Sequence, residues 1–95
     1  MSDGAEIPAT ARPHLPRGVR LQRDEARGGF VLLAPERIVR ADTVAAAVLE
    51  RCDGQRTLHD IIDDLCATYR GERSRIEADV RRLLADLSAK KMVAL

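Results

Sequence analysis

Residues 33–65 constrain the fold of this chain most, because a short strand there runs directly into two helices that one tight turn separates. The segment reads LAPERIVRADTVAAAVLERCDGQRTLHDIIDDL. In its first helix, apolar residues recur at the i, i+3, i+4, i+7 spacing of a single face, at Ala45, Val48, Leu49 and Cys52. Asp42 is placed to cap the start of this helix, and Gly54 supplies the positive φ that favours its end. We therefore expect a strand and two helices packed on one core.

Two start signals and two apolar stripes predict the remaining helical structure. Thr57 with Asp60 forms a shortened capping box for the second helix, and Ser74 with Glu77 forms a fuller one for a third. The buried stripe of the second helix is predicted at Leu58, Ile61, Ile62, Leu65, Cys66 and Tyr69. The stripe of the third is predicted at Ile76, Val80, Leu83, Leu84 and Leu87.

The residues ahead of the first helix predict three antiparallel strands. Val19 and Leu21 alternate with polar residues, and residues 30–33 form an apolar run. The intervening DEARGG has the polar residues and glycines of a hairpin loop, and Pro35 favours a tight turn before a third strand over residues 37–40. The predicted fold class is therefore α+β and winged-helix-like, with a three-stranded antiparallel β-meander followed by three α-helices.

The N-terminal segment differs in composition from the rest of the chain. Residues 1–18 contain three of the four prolines and few large apolar side chains, so we expect a flexible tail or linker there, with local packing left open for part of residues 13–18. Residues 19–95 form the predicted domain, which has room for one core and for no deep cleft. Its core must be mainly aliphatic, because Phe30 and Tyr69 are the only aromatic residues.

Charge, hydropathy and cysteine content exclude several classes of protein. Sixteen Lys and Arg face fifteen Asp and Glu, a net charge of +1 without the one-signed field of a nucleic-acid binder. No run approaches the ~20 apolar residues of a membrane span, and the N-terminus has no apolar signal region, which predicts a cytoplasmic location. Cys52 and Cys66 have no metal-ligand spacing and are expected to be reduced thiols, with a disulfide left open.

Few residues suggest chemistry. His14 and His59 have no nucleophile beside them in the sequence, so solvated histidines are expected and an enzyme is not, although a site assembled by tertiary contacts stays open. Asp60, Asp63 and Asp64 could attract a divalent cation but are typical of a solvated helix face. The sequence predicts no bound metal and no cofactor.

Nucleic-acid binding is the alternative function. Strands followed by three helices resemble a winged helix, and one side of the C-terminal region is moderately basic, with Arg70, Arg73, Arg75, Arg81 and Arg82. Against this alternative, acidic residues are interleaved where a recognition helix would face base edges and phosphates, at Glu77, Asp79 and Asp86.

The predicted third strand suggests a different use. It lies at an edge of the sheet, and Ile38 and Val39 point to opposite faces, so one of them should be exposed. The unpaired N–H and C=O groups of an edge can accept an extended peptide as a further strand, although an edge can also simply meet water. If the edge binds a peptide, a proline at Val39 should weaken binding more than Asp63→Ala.

The run LLAPERIVRADTVAAAVLERCDGQRTLHDII, residues 32–62, resembles the PqqD family of pyrroloquinoline quinone (PQQ) biosynthesis. The most specific parts are Leu-Ala-Pro-Glu entering a strand, the alanine-rich first helix, and Cys-Asp-Gly followed by Arg-Thr. Residues 40–42 depart from the family pattern, which would have a more apolar strand end and Asn as the cap. The resemblance otherwise extends to nearly the whole chain beyond residue 17.

The resemblance implies a recognition element for ribosomally synthesized and post-translationally modified peptides (RiPPs). Such a peptide chaperone would bind the precursor PqqA by strand addition and present it to the radical-SAM enzyme PqqE, without a cluster of its own. An association or fusion with another pathway enzyme such as PqqC is also implied, and whether residues 1–18 are a free tail or a fusion linker stays open.

By position, the resemblance implies a groove between the third strand and the third helix. Its strand residues are Arg37, Ile38, Val39 and Arg40. Its helix residues are Ile76, Asp79, Val80 and Leu83. Arg37 and Arg40 are further expected to be able to pair with acidic residues of the precursor.

Overall fold

Three antiparallel strands followed by three helices make up the chain in the computed structural model, which describes residues 7–95. The elements are β1 (Arg20–Arg23), β2 (Phe30–Ala34), β3 (Arg37–Ala41), α1 (Thr43–Glu50), α2 (Leu58–Thr68) and α3 (Arg73–Ala89). The strand order in the sheet is β1-β2-β3, which leaves β3 at an edge. The predicted α+β class and element order are confirmed.

The two hairpins form where the turn residues predict them. In the β1–β2 loop, the Asp24 carboxylate accepts hydrogen bonds from the backbone N–H groups of Ala26 and Arg27, each at 3.1 Å. Gly28 and Gly29 follow with φ near +78° and +77°, a conformation that side chains with a Cβ rarely adopt. Only Pro35 and Glu36 separate β2 from β3.

The core lies between the inner face of the sheet and the three helices. Leu32 of β2, Leu58 and Ile61 of α2, and Leu84 of α3 are fully buried. On α3, Val80, Leu84 and Leu87 are buried as predicted, whereas Ile76 and Leu83 of the same stripe stay half-exposed. This difference marks the side of α3 that no other described element covers completely.

Helix capping follows the sequence prediction in two helices of the three. The Asp42 carboxylate accepts from the Ala45 N–H at 2.7 Å, and Thr57 and Asp60 form both bonds of a capping box at 3.1 Å. The capping box predicted at Ser74 and Glu77 is wrong. Helix α3 starts earlier, at Arg73 with Glu72 as its N-cap, and the Glu77 carboxylate instead accepts from Arg81 at 3.0 Å.

This difference gives a direct stability test. Thr57→Ala should lower the free energy of unfolding by about 1 kcal/mol, because the N–H of Asp60 loses its acceptor. Ser74→Ala is the matched control and should cost less than about 0.5 kcal/mol, since Ser74 caps nothing. Urea denaturation of both variants measures the difference. A larger loss of stability in Ser74→Ala than in Thr57→Ala would support Ser74 as the N-cap of α3, as the sequence predicts.

The N-terminal strap, residues 7–18, packs against the domain, which differs from the expected flexible tail at residues 7–12, whereas the sequence leaves local packing open for part of residues 13–18. Ile7 is 6% exposed and joins the core, and Pro13 is fully buried. The backbone of His14 exchanges two hydrogen bonds with that of Ala94, at 2.9 and 2.8 Å. Residues 1–6 of the predicted tail lie outside the described residues.

The strap also completes the N-terminus of α2. The first turn of a helix has N–H groups without partners inside the helix. The N–H of Leu58 donates to the carbonyl of Ala11 at 2.8 Å, and that of His59 donates to Ala9 at 3.0 Å. With the Thr57 cap, the strap therefore provides an acceptor for each of the first three N–H groups of α2.

The cysteines are free thiols, in agreement with the prediction, and form no disulfide with each other. Burial, reinforced by the Asp53 carboxylate, raises the pKa of the Cys52 thiol to about 12. Cys66 is half-buried. No helix within residues 7–95 combines the length and apolar character needed to cross a membrane.

Candidate peptide-binding groove

The outer edge of β3 carries unpaired backbone groups at two residues. Ala34 and Arg37 pair across a two-residue turn, and a pair in that position must exchange both hydrogen bonds. Because bonded and non-bonded pairs alternate, Val39 and Ala41 also bond to β2. The N–H and C=O groups of Ile38 and Arg40 therefore point away from the sheet.

This edge runs beside α3 in the opposite direction. The Arg37 guanidinium donates to the carbonyl of Lys90, just after α3, at 3.3 Å. At the other end of β3, Asp42 lines the same groove as Asp86 of α3. The two ends of β3 therefore lie near the C-terminal part of this helix.

Beyond the end of β3, the space between the helices widens into a groove of about 800 Å³. Its floor is apolar and comes from three helices, with Ala45, Val48, Leu65, Ile76, Val80 and Leu83. Val44 at 62% exposed and Tyr69 at 41% also line it, and they are two of the four large apolar side chains exposed within residues 7–95. An exposed apolar lining of this kind fits apolar side chains of a ligand.

All four residues expected on α3, Ile76, Asp79, Val80 and Leu83, line this groove. The strand residues divide between two faces. Val39 is directed toward the core, while Ile38 is 69% exposed on the outer face of the sheet, as the prediction that one of them is exposed requires. The strand residues of β3 therefore contribute main-chain groups, rather than side chains, to the edge.

Val44 of α1 and Tyr69, just after α2, line the groove although the sequence does not indicate them as groove residues. Val44 lies outside the apolar stripe of α1, which was the only available signal that it has a separate role. Tyr69 was predicted as a buried member of the α2 stripe, and that prediction is wrong. The backbone turns to an extended conformation at Tyr69, after the last helical residue, and its ring therefore leaves the core face.

The rim of the groove carries both signs of charge. Asp42, Asp79 and Asp86 lie on it with Arg70 and Arg82. Arg82 pairs with Asp79 at 3.4 Å, and the Asp86 carboxylate accepts from Lys90 at 3.1 Å. These exposed pairs contribute little to stability and can rearrange around a ligand.

Arg40 is already paired within the domain. Its guanidinium donates to the Asp24 carboxylate at 2.8 Å and to the Gly28 carbonyl at 3.0 Å, which lowers the pKa of Asp24 below its ordinary value. The Arg37 guanidinium is likewise used by Lys90. Each guanidinium keeps further N–H donors, so an acidic ligand would pair with an arginine that already has a contact within the domain.

The acidic residues of α2 have separate partners. Asp60 belongs to the capping box, Asp64 pairs with Arg51, and Asp63 contacts both His59 at 3.2 Å and Arg73 at 2.6 Å. Within residues 7–95, no three His, Cys, Asp or Glu side chains converge as metal ligands would. The cluster is a solvated, ion-paired face.

The basic side of the C-terminal region is largely neutralised by neighbouring carboxylates. Arg73 pairs with Asp63, Arg81 with Glu77, and Arg82 with Asp79. Phosphate binding would have to compete with each of these pairs, and this disfavours the nucleic-acid alternative.

Comparison with known proteins gives a family match over β2 to α3. The profile described as Coenzyme PQQ synthesis protein D (PqqD) matches residues 29–93. A protein of Xanthomonas axonopodis pv. citri named PqqA binding protein is 45% identical over 89 residues, which cover 94% of this chain and 97% of the relative. One of the same name from Rhodopseudomonas palustris is 44% identical over 84 residues, 88% of this chain and 82% of the relative.

Two solved structures are similar over almost the whole chain. The solution NMR structure of the PqqD truncation of Methylobacterium extorquens PqqCD represents a functional and stand-alone RiPP recognition element. It superposes with a TM-score of 0.82 at 40% identity and covers 99% of this chain and 100% of its own. The crystal structure of PqqD from Xanthomonas campestris gives 0.59 at 43% identity and covers 94% and 99%.

Proposed function

The chain belongs to the PqqD family, and we propose that it binds the precursor peptide PqqA in PQQ biosynthesis by adding a strand of the peptide to β3. The observation that carries the proposal is the open edge at Ile38 and Arg40 beside an apolar groove on α3. Relatives are named PqqA binding protein, and the Methylobacterium structure represents a recognition element. The first names PqqA as a ligand of the relatives, and the second supports binding of a precursor peptide.

In strand addition, main-chain hydrogen bonds and side-chain contacts contribute to peptide binding in different ways. An incoming peptide strand would bond to the N–H and C=O groups of Ile38 and Arg40, which gives affinity for an extended chain of any sequence. Alternate side chains of that strand would face α3, and apolar ones entering the groove would contact Val44, Ile76 and Leu83. The groove therefore supplies the selectivity that the edge lacks.

The domain would act by holding its peptide rather than by transforming it. We assign it the role of a peptide chaperone that presents PqqA to the radical-SAM enzyme PqqE. An association with another pathway enzyme such as PqqC is part of the same proposal, since the Methylobacterium relative is a truncation of PqqCD.

Amide NMR signals test the location of the peptide. Titration with PqqA should shift the signals of Ile38 and Arg40 together with those of Ile76 and Leu83 on α3. The signals of Leu21 and Arg23 on the opposite edge should change much less. Saturating peptide that leaves the β3 signals unmoved would place the binding site elsewhere.

Substitution of Val44 tests the groove separately from the strand edge. Val44→Asp should weaken PqqA binding about tenfold, because it places a charge against apolar peptide side chains. Stability should hardly change, since Val44 is exposed and an acidic residue suits the first turn of a helix.

Leu95→Asp is the matched control, an equally drastic change at an exposed apolar side chain away from the groove. Fluorescence anisotropy with labelled PqqA measures both affinities. Equal dissociation constants for the Val44→Asp and wild-type proteins would argue against a peptide in this groove.

A further inference from the structure

The outer face of the sheet, opposite the core, carries an apolar strip that the peptide groove does not use. Val31 and Leu33 of β2 face outward, because Phe30, Leu32 and Ala34 take the alternating inward positions. Ile38 lies directly beside Leu33 across the β2–β3 pair. A solvated sheet face normally alternates to polar residues, so this strip departs from the usual pattern.

The strip forms the floor of a shallow hollow of about 460 Å³ on the outer face. Gln22 and Arg23 of β1 border it on one side, Arg40 of β3 on the other, and Glu25 and Arg27 of the β1–β2 loop at one end. The hollow and the peptide groove share no lining residue. They are therefore two separate surfaces on opposite sides of the same strand edge.

The charges around the hollow are mostly positive and unpaired. Arg40 and Asp24 neutralise each other. Arg23 and Arg27 then face only Glu25, and within residues 7–95 none of these three makes an ion pair. Three of the four arginines of α3 are ion-paired, whereas the border of the hollow keeps a small excess of positive charge. It suits a surface with acidic residues around an apolar centre.

A protein suits this surface better than a nucleic acid. Single-stranded nucleic acids stack their bases on aromatic side chains, whereas the floor here is aliphatic. An apolar centre with an arginine border is the usual composition of a protein interface.

The hollow is also continuous with the proposed peptide strand. A strand added at β3 extends the sheet, so its outward side chains would lie beside Ile38 and extend the outer face. A partner seated on the outer face would therefore contact the domain and alternate residues of the peptide together.

From these observations we propose that the outer face of the sheet, centred on Val31, Leu33 and Ile38, is the docking surface for the enzyme that modifies the bound peptide. The inference rests on the proposed function. It adds that this enzyme approaches through an acidic-bordered apolar patch and binds the peptide-loaded domain more tightly than the empty one.

Binding of purified PqqE to the PqqA-saturated protein tests the proposal. Leu33→Lys should raise the dissociation constant for PqqE about tenfold, and Arg27→Glu should raise it about threefold. Both variants should keep the wild-type affinity for PqqA within about twofold, because neither residue belongs to the groove or the β3 edge. Leu95→Lys, an exposed apolar residue elsewhere, is the control and should leave both affinities unchanged.

The outcomes separate the two proposals. If the wild-type protein fails to bind PqqA, both the proposed function and this inference are wrong. Normal PqqA binding together with unchanged PqqE affinity in Leu33→Lys and Arg27→Glu overturns only the docking surface. Sedimentation that finds a wild-type dimer and a Leu33→Lys monomer would also overturn it, because the face would then belong to a second copy of the chain.

Discussion

Replacement of Ile38 by proline is expected to weaken PqqA binding by at least about tenfold while the domain stays folded. The N–H of Ile38 points away from β2, so proline removes a donor from the open edge and no bond from the sheet. Its ring also occupies the space where a peptide strand would approach. Isothermal titration with PqqA measures the loss, and circular dichroism verifies the fold.

Arg23→Pro is the matched control for this variant. Arg23 lies on β1, the opposite edge of the sheet, and its N–H also points outward because Val31 and Leu33 take the bonds from β2 to β1. A proline there changes the same kind of backbone group far from β3. Equal losses of affinity in the two folded variants would contradict strand addition at β3.

The register of β3 against β2 also explains why proline should replace Ile38 rather than Val39. The sequence alone favours a proline at Val39, but Val39 pairs with Leu32 and bonds to β2. A proline at Val39 would therefore break the sheet, and weaker binding would follow from unfolding as readily as from a blocked edge. Ile38 separates these two effects.

Removal of the N-terminal strap should destabilise the domain by about 4 kcal/mol, a large part of the stability of a chain this small. A protein that begins at Val19 loses the burial of Ile7 and Pro13. It also loses the acceptors for the Leu58 and His59 N–H groups at the start of α2. Urea denaturation should give a clearly lower midpoint.

A protein that begins at Ile7 is the control, because it keeps every contact of the strap. It should unfold at a clearly higher urea concentration than the protein that begins at Val19. If the protein that begins at Val19 were as stable as the full chain, the contacts of the strap would contribute nothing to stability. The domain boundary predicted at residue 19 would then describe the stable unit correctly.

The strap was missed because its contacts are mainly hydrogen bonds of the main chain. The carbonyls of Ala9 and Ala11 accept hydrogen bonds from α2 whatever side chains these two residues carry, so no apolar pattern in the sequence predicts the contacts. Only Ile7 and Pro13 are buried, too few for a periodic signal. The helices, by contrast, were predictable because long stripes of buried side chains repeat at helical spacing.

The groove was predictable on one side only. Family resemblance indicated its α3 residues, including Ile76 and Leu83, which periodicity alone had assigned to the core. Val44 could not be predicted in the same way, since its role depends on how α1 faces α3 after folding. The start of α3 at Arg73 shows the same dependence on tertiary contacts, because Arg73 pairs with Asp63 of α2.

The position of the strap has a consequence for tethered partners. The Arg81 guanidinium on α3 donates a hydrogen bond to the carbonyl of Ile7. At 100° per residue around the helix axis, the Arg81 side chain lies about 140° from that of Ile76 and about 160° from that of Leu83. The strap therefore begins on the flank of α3 away from the proposed peptide groove, and a protein joined ahead of it would be tethered to that flank. Such a tether raises the effective concentration of that protein near the bound peptide without competing for its site.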